Sequence, residues 1–433
     1  MAAVDRLARF LRSRQQSFAG GSLITIALNG VSMVMFLLGS LLVARALGPK
    51  QAGYLMWFIT GTDTISRFAD VFGIYYGNSY LIASGKRGEI DDAAITGTVL
   101  VYGLAVGVVV GILFGWFSPI TRVAFYGFTE PAWPLLITLN ILGLVVITQI
   151  RGLLWANKSF IWLGLLNVVK IGSYGILALV IAYPLNARIG SKVAIAQVIS
   201  TWVCVTGLMA LLMSRGIARP VPEYFRRCLG IGARGAGANW LSFLHLRADQ
   251  YMVHTFLGPT ALGLYGVAVW LGELITQVPA MLGMVLFPHV AAAQNQKQAF
   301  RATITWTLGV MGLVAVLILP LAFLTPIVVH LLYGDQFLGA VPLLRYYLPG
   351  VVVLSGLYLV NNHIAGLGYP LMYVVILAAA LAINIGLNLF LLPRMGVAGA
   401  SVSSSISYCF WFLFVGGYLV HRLRQDSTVA VLG

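Results

Sequence analysis

Acidic residues are scarce in this 433-residue chain: 12 Asp and Glu stand against 27 Lys and Arg, and only 9% of residues are charged. A soluble domain has about 25%. With 60% of the chain hydrophobic, there is too little polar surface to cover a core in water, and a soluble globule is excluded. Cysteine is nearly missing. Cys204, Cys228 and Cys409 lie far apart and form no Cys-x-x-Cys pair, which excludes a disulfide framework and a thiolate metal site. The phosphate loop Gly-x4-Gly-Lys-[Ser/Thr], the zinc helix His-Glu-x-x-His and the nucleophile elbow Gly-x-Ser-x-Gly are absent, as is an acidic pair in a large soluble loop. These absences count against an enzyme, and no catalytic residue, metal ligand or cofactor is read from the chain. The apolar segments are continuous and do not alternate every second residue, which excludes a β-barrel.

Long apolar runs are what the chain does have. Breaks at polar, Gly and Pro residues delimit twelve candidate spans, at 22–46, 54–83, 94–117, 133–155, 161–183, 192–213, 235–257, 262–288, 302–325, 343–366, 370–392 and 398–420, each long enough to cross a bilayer as a helix. The fold class expected is an all-α polytopic membrane protein. Fifteen Lys and Arg fall in the loops of one side and five in those of the other, a bias that places both termini in the cytoplasm. The net charge of +15 is thus loop charge facing lipid headgroups, and no nucleic acid partner is implied. Leu7, Phe10 and Leu11 interleave with Arg6, Arg9, Arg12 and Arg14, the pattern of an amphipathic helix lying on the inner leaflet. The connection 215–230, rich in Arg and Pro, divides the spans six and six. The expected domains are an N-terminal lobe 1–214, a cytoplasmic linker 215–230 and a C-terminal lobe 231–433.

The two halves repeat. LGPKQAGY at 47–54 returns as LGPTALGLY at 257–265, and Asn29 and Ser32 align with Asn239 and Ser242 at the same offset of 210. SPITRVAFYG at 118–127 returns as TPIVVHLLYG at 325–334 with an offset of 207. A helix-ending Leu-Gly-Pro would account for one such landmark, but not for two at nearly one offset. Both copies of each follow odd-numbered spans, so they share an orientation, and two pseudo-twofold-related six-helix lobes around a central cleft are expected.

Seven charges fall deep within spans: Asp63, Arg67, Asp70, Lys170, Arg247, Asp249 and Glu273. Each costs from about 3 to more than about 10 kcal/mol unless it faces protein or water. Arg45, Arg151, Arg234 and Arg345 lie near span ends, where long side chains snorkel to an interface. Asp63, Arg67 and Asp70 are spaced i, i+4, i+7, which stacks them on one stripe with Thr60 and Asn78. Two readings stand: a polar wall of a water-filled cavity, or a self-neutralising Asp-Arg-Asp clamp. In the seventh span Arg247, Gln250 and His254 share a stripe and His245 and Asp249 another; the eighth carries Glu273 and Gln277, then Pro279, which permits a kink. His289, His330 and His363 read as ordinary hydrogen-bonded residues. Lys170 has no acid at i±3 or i±4, so its partner must come from another helix or a ligand.

The order of LGPKQAGY, RADQYMVHTFLGPTALGLYGVA at 247–268, LFPHVA ending the eighth span, LLYGDQF at 331–337 and LLPRMGVAGASVSSSIS at 391–407 resembles the polysaccharide-exporter branch of the multidrug/oligosaccharidyl-lipid/polysaccharide exporter superfamily, the Wzx-type flippases. The resemblance covers the whole chain. It implies a multi-pass protein of the bacterial inner membrane that moves a polyprenyl-pyrophosphate-linked oligosaccharide to the periplasmic leaflet through a V-shaped cleft. Membrane lipids and the polysaccharide polymerase and glycosyltransferase machinery are its implied partners, and the family's cleft charges would correspond to Arg67, Arg247 and Asp249. Lipid II flippases have two further helices, and drug antiporters of this fold commonly carry an Asp in the first helix, which is missing here.

A pyrophosphate cannot cross hydrocarbon unless fixed cations replace its water. Arg67, Lys170 and Arg247 are the expected phosphate ligands, with Gln250 and Asn78 as polar cavity residues. Asp63, Asp70, Asp249 and Glu273 would hold those cations or bind a coupling proton or Na+. The alternatives are a cation-coupled multidrug antiporter, which would want an acid-dominated cavity, and a membrane-embedded polysaccharide polymerase or acyltransferase, which would make a covalent product.

Overall fold

A computed structural model of the chain describes residues 18–83, 89–117, 133–157, 159–186, 188–213, 216–291, 295–367 and 370–432. The amphipathic segment expected before residue 18 and the landmark 118–127 lie outside the described residues. Among the described residues eleven α-helices follow in order: α1 Phe18–Phe68, α2 Ile74–Ala83, α3 Asp92–Ile112, α4 Trp133–Ala156, α5 Phe160–Ala182, α6 Gly190–Met213, α7 Pro222–Ala291, α8 Gln296–Tyr333, α9 Ala340–Gly366, α10 Leu371–Met395 and α11 Val397–Leu432. A π-helical turn, Leu113–Phe117, prolongs α3, and no β-strand occurs among the described residues.

Nine helical stretches among the described residues are long and apolar enough to cross a membrane. One of these, Gly235–Gly283, bends at Gly258, and α1 bends likewise at Gly48. With the bend at Gly258, these stretches cover the ten spans read from residue 94 onward; the span read at 22–46 lies on the first arm of α1, and the one read at 54–83 is broken between Phe68 and Ile74. The chain is an all-α, multi-pass membrane protein. Its solvent shows in α8: Thr303, Thr307, Val310, Val314 and Ile318 are buried at helical spacing, while Leu308, Leu313, Val316 and Phe323 are exposed. An apolar outer face suits hydrocarbon and would be untenable in water.

The chain forms two compact units, each described here by itself. One comprises the described residues up to Leu47 with Tyr54–Ala236; the other comprises Gly48–Gly53 and Gly237–Gly433. Of the segment expected as a cytoplasmic linker, residues 216–230 belong to the first unit. There Val221 N–H donates to Thr98 Oγ1 at 2.8 Å and Ala218 N–H to the Ala93 carbonyl at 3.0 Å. From Pro222 it is already helical and runs unbroken into the seventh span, because Pro suits the first helical position and Glu223 complements the helix dipole there. Cys228 on this stretch is buried, which pushes its thiol up to about 12, and it stays neutral. In the same unit, Gly107 and Gly111 on α3 face Leu142 and Thr138 on α4 so closely that a Cβ would fall 2.7 Å and 2.9 Å from their atoms, the small-residue packing that membrane helices favour.

The internal repeat is written into the backbone. Gly48 has φ 74°, ψ 168° and Gly258 has φ 83°, ψ −176°, so equivalent glycines of the two LGP copies make the same left-handed break that other residues resist. Within the second unit the two copies cross reciprocally. A Cβ on Gly53 would lie 1.7 Å from the Pro259 carbonyl oxygen, and one on Gly263 would lie 1.9 Å from that of Pro49. Backbone on both sides leaves nothing soft to yield. Gly53→Ala and Gly263→Ala should each cost about 1–3 kcal/mol and lower the thermal midpoint in detergent, while Gly309→Ala, with nothing within 4 Å, should not. Equal midpoints for all three would refute the crossing.

Candidate functional site

In the first unit, the second arm of α1 runs beside α4 in the same direction. Phe58 packs on Trp133 with ring centroids 5.2 Å apart, and Asn140 Nδ2 donates to Thr62 Oγ1 at 2.8 Å. Asn140 also accepts from Thr201 of α6 at 3.1 Å, a buried hydrogen-bonded strut across three helices. One turn beyond Thr62, Arg67 Nε donates to Asp63 Oδ2 at 3.0 Å, with both side chains well exposed at 40% and 37%. This is the i, i+4 pair expected from the sequence.

Asp70 does not extend that stripe. Helix α1 ends at Phe68, and the backbone turns through Gly73 at φ 64°. The buried Asp70 carboxylate instead closes the start of α2, accepting from Ile74 N–H at 2.9 Å, Tyr75 N–H at 3.1 Å and Tyr102 O–H at 3.2 Å. Free amides at a helix start attract a carboxylate more strongly than a water-filled wall would hold it. The cavity role expected of Asp70 is therefore corrected to a structural one. The same holds for Asn78, which is fully buried and accepts from Tyr224 O–H at 2.6 Å, fastening the beginning of α7.

Lys170 on α5 is half-buried, and Asp63, Arg151 and Arg67 lie within its electrostatic reach. No described residue makes a hydrogen bond or ion pair with its ammonium group, and the same is true of the Arg151 guanidinium. Arg151, expected to snorkel, thus belongs to the surroundings of Lys170. The side chain of Arg234 lies outside the described residues.

In the second unit, Arg247 Nη1 donates to Glu273 Oε1 at 2.5 Å, the side chains 23% and 28% exposed. They sit on the two arms of α7 on either side of the Gly258 break, and the backbone at Pro279 keeps helical angles. Asp249 is buried. Its Oδ2 accepts from Tyr265 O–H and from Ser404 O–H, the latter at 2.7 Å, and its Oδ1 accepts from Gln250 N–H at 2.7 Å. Gln250 is equally buried, so it does not line an open cavity as expected. A second chain of buried groups runs from His245 Nε2 to Ser407 Oγ at 3.2 Å, from Ser407 to Asn384 at 3.0 Å, and from Asn388 Nδ2 to Asn384 Oδ1 at 3.1 Å. Tyr265, Asn384, Asn388, Ser404 and Ser407 escaped the sequence reading. The i, i+4 asparagines in an apolar helix were the one signal that could have marked them. His363 bonds Thr303 at 2.8 Å and His330 bonds Asp335 at 2.7 Å, ordinary roles as expected; the His289 side chain lies outside the described residues. Among the described residues no cluster of His, Cys, Asp and Glu could hold a metal ion.

A family described as "Polysaccharide biosynthesis protein" matches residues 42–342. The fold is similar to an inward-facing multidrug resistance MATE family transporter of the MOP superfamily, with 14% identity and TM-score 0.71 over 92% of this chain and 98% of that one. It is also similar to the lipid II flippase MurJ in an inward closed conformation, with 12% identity and TM-score 0.72 over 91% and 86%. An uncharacterized membrane protein of Methanocaldococcus jannaschii is 23% identical over 207 residues, 46% of this chain and 40% of that protein.

Proposed function

Since the chain belongs to the polysaccharide biosynthesis protein family, whose fold here is that of membrane transporters and flippases, we propose that it moves a polyprenyl-pyrophosphate-linked oligosaccharide from the cytoplasmic to the periplasmic leaflet of a bacterial inner membrane. The observation that carries this reading is Lys170, a cation inside a spanning helix that no described residue pairs, with Arg67 in its reach. A charge left so in a membrane protein marks a ligand path. The lipid tail stays in hydrocarbon while the headgroup exchanges water for fixed cations, and binding sites alternate in access to the two sides. The direction follows from cytoplasmic synthesis of the glycan lipid, with both termini of the chain on that side by the Lys and Arg bias. Asp249, held by two hydroxyls, is the group for a coupling proton or Na+. Arg247 and Arg67 each have an acid beside them, Glu273 and Asp63, so phosphate recognition leans first on Lys170.

Mass spectrometry of lipids that co-purify with the protein tests the reading. A polyprenyl pyrophosphate bearing sugars is the expected cargo. Bulk phospholipid alone, together with saturable binding of organic cations, would establish a drug antiporter instead. A new glycosidic or acyl bond formed by the purified protein would establish an enzyme.

A further inference from the structure

We propose that Arg345 anchors a bound phospholipid on the outer face of the second unit. Its guanidinium, seated where α9 meets α8, takes the phosphate of a lipid in the leaflet nearest the turn that joins those helices. This site is separate from the cargo and independent of what the cargo is.

A proline makes the seat. Pro326 lies inside α8 and has no N–H to give to the Ala322 carbonyl one turn before it, so that oxygen would be stranded where lipid offers no donor. Two side chains replace the missing amide. Thr325 Oγ1 donates to the Ala322 carbonyl at 3.0 Å from the same helix, and Arg345 Nε donates to it at 2.9 Å from α9. The snorkelling expected of Arg345 is thereby restrained, because a side chain held by its Nε cannot use its full reach. It stands about 8 Å inside the start of α9 at Ala340, and Ala322 stands about 16 Å short of the end of α8 at Tyr333.

The rest of the guanidinium has no partner among the described residues: neither Nη1 nor Nη2 makes a hydrogen bond or ion pair there. Asp335, the acid of the turn between the two helices, is bonded to His330 at 2.7 Å. The surface beside the arginine is apolar. Val316, Leu319, Phe323 and Ile327 recur at helical spacing on α8 and are all exposed, as is Tyr346 next to Arg345; Ala322 and Pro326 are half-buried at the edge of that stripe. A full charge pinned on such a surface needs an anion, and the bilayer itself supplies one. A phosphodiester suits the guanidinium, since its free oxygens match the parallel N–H groups of the fork. The acyl chains of such a lipid run from the phosphate toward the middle of the membrane, and Leu319 and Val316 lie on that side of Ala322.

Native mass spectrometry of the purified full chain in detergent, titrated with phosphatidylglycerol and with diacylglycerol, tests the assignment. Arg345→Gln should weaken the first phosphatidylglycerol bound about tenfold and leave diacylglycerol, which has no phosphate, unchanged. Arg345→Lys, with charge but no fork, should recover part of the affinity. Arg345→Gln also takes a donor from the Ala322 carbonyl, so its thermal midpoint without lipid should fall. Adding Pro326→Ala returns a backbone N–H to that carbonyl and should restore the midpoint while lipid affinity stays low, a separation that a merely structural arginine would not show. Wild-type phosphatidylglycerol affinity in Arg345→Gln, with or without Pro326→Ala, overturns the proposal. Displacement of the lipid by an equal concentration of inorganic phosphate overturns it too, by making this a site for free anions. So does an equal loss in Arg394→Gln, which would reduce the effect to surface charge: that guanidinium is held on its own helix, by the Phe390 carbonyl at 2.8 Å and over the Phe390 ring at 3.7 Å. Lipid binding is read without transport, so neither result touches the proposed cargo.

Discussion

Asp249→Ala should lower the amount of folded protein in the membrane more than any other single change in the second unit, and the proposed glycan export should fall with it. Alanine leaves the Tyr265 and Ser404 hydroxyls and the Gln250 amide without the acceptor they now share. Each buried donor stranded in this way costs about 1–3 kcal/mol, partly offset because the burden of a buried carboxylate disappears with it. A total of about 2–5 kcal/mol is a large part of the stability of most folds. Asp249→Asn is the informative companion. Its carbonyl oxygen can still serve Tyr265 and Ser404 and only the Gln250 amide loses its acceptor, so abundance should fall less than in Asp249→Ala, but it offers no charge to exchange. If Asp249 takes the coupling proton or Na+, export by Asp249→Asn should lose its response to an imposed ion gradient in proteoliposomes. An unaltered response at normal abundance assigns Asp249 a purely structural part.

The second large effect is expected at the pair Arg247 and Glu273. Arg247→Ala should reduce abundance, because Glu273 is then left without its cation at 28% exposure; the cost is about 1–3 kcal/mol, below the 3–5 kcal/mol of a fully buried pair. Glu273→Ala should cost a similar amount. Removing both residues should restore abundance to near wild type, since no stranded charge remains. Export measured in parallel decides what the pair is for. Recovery of export in the double variant makes the pair a clamp between the arms of α7. Restored abundance with lost export makes Arg247 a cargo ligand in its own right, with Glu273 as the partner it leaves.

How far each of these residues was legible beforehand differs for physical reasons. The ion pair of Asp63 and Arg67 was legible because i, i+4 residues meet on any helix, whatever packs around it. Arg247 and Glu273 are 26 residues apart, and their meeting depends on a break at Gly258 that sequence marks only as one half of a repeat. Asp70 and Asn78 were misplaced because a stripe argument assumes an unbroken helix, and two features, Gly73 and the docking of 218–232, end it.

Composition and one-dimensional pattern by themselves determined that this chain lives in a membrane, where most of its spans run, and that its halves repeat. Scarce charge and long apolar runs leave no other solvent, and matched glycines impose matched breaks in the backbone. Only the tertiary structure decided which polar residues are spent on holding helices and which cations stay uncompensated. Lipid is as apolar as a leucine core, so hydropathy does not say which face of a spanning helix looks inward. Helix rotation and register, set by packing, then select whether a buried acid finds an arginine, an amide or a hydroxyl. That choice tied Asp249 to Tyr265 and Ser404, gave Arg247 to Glu273, and left Lys170 with no ion pair among the described residues.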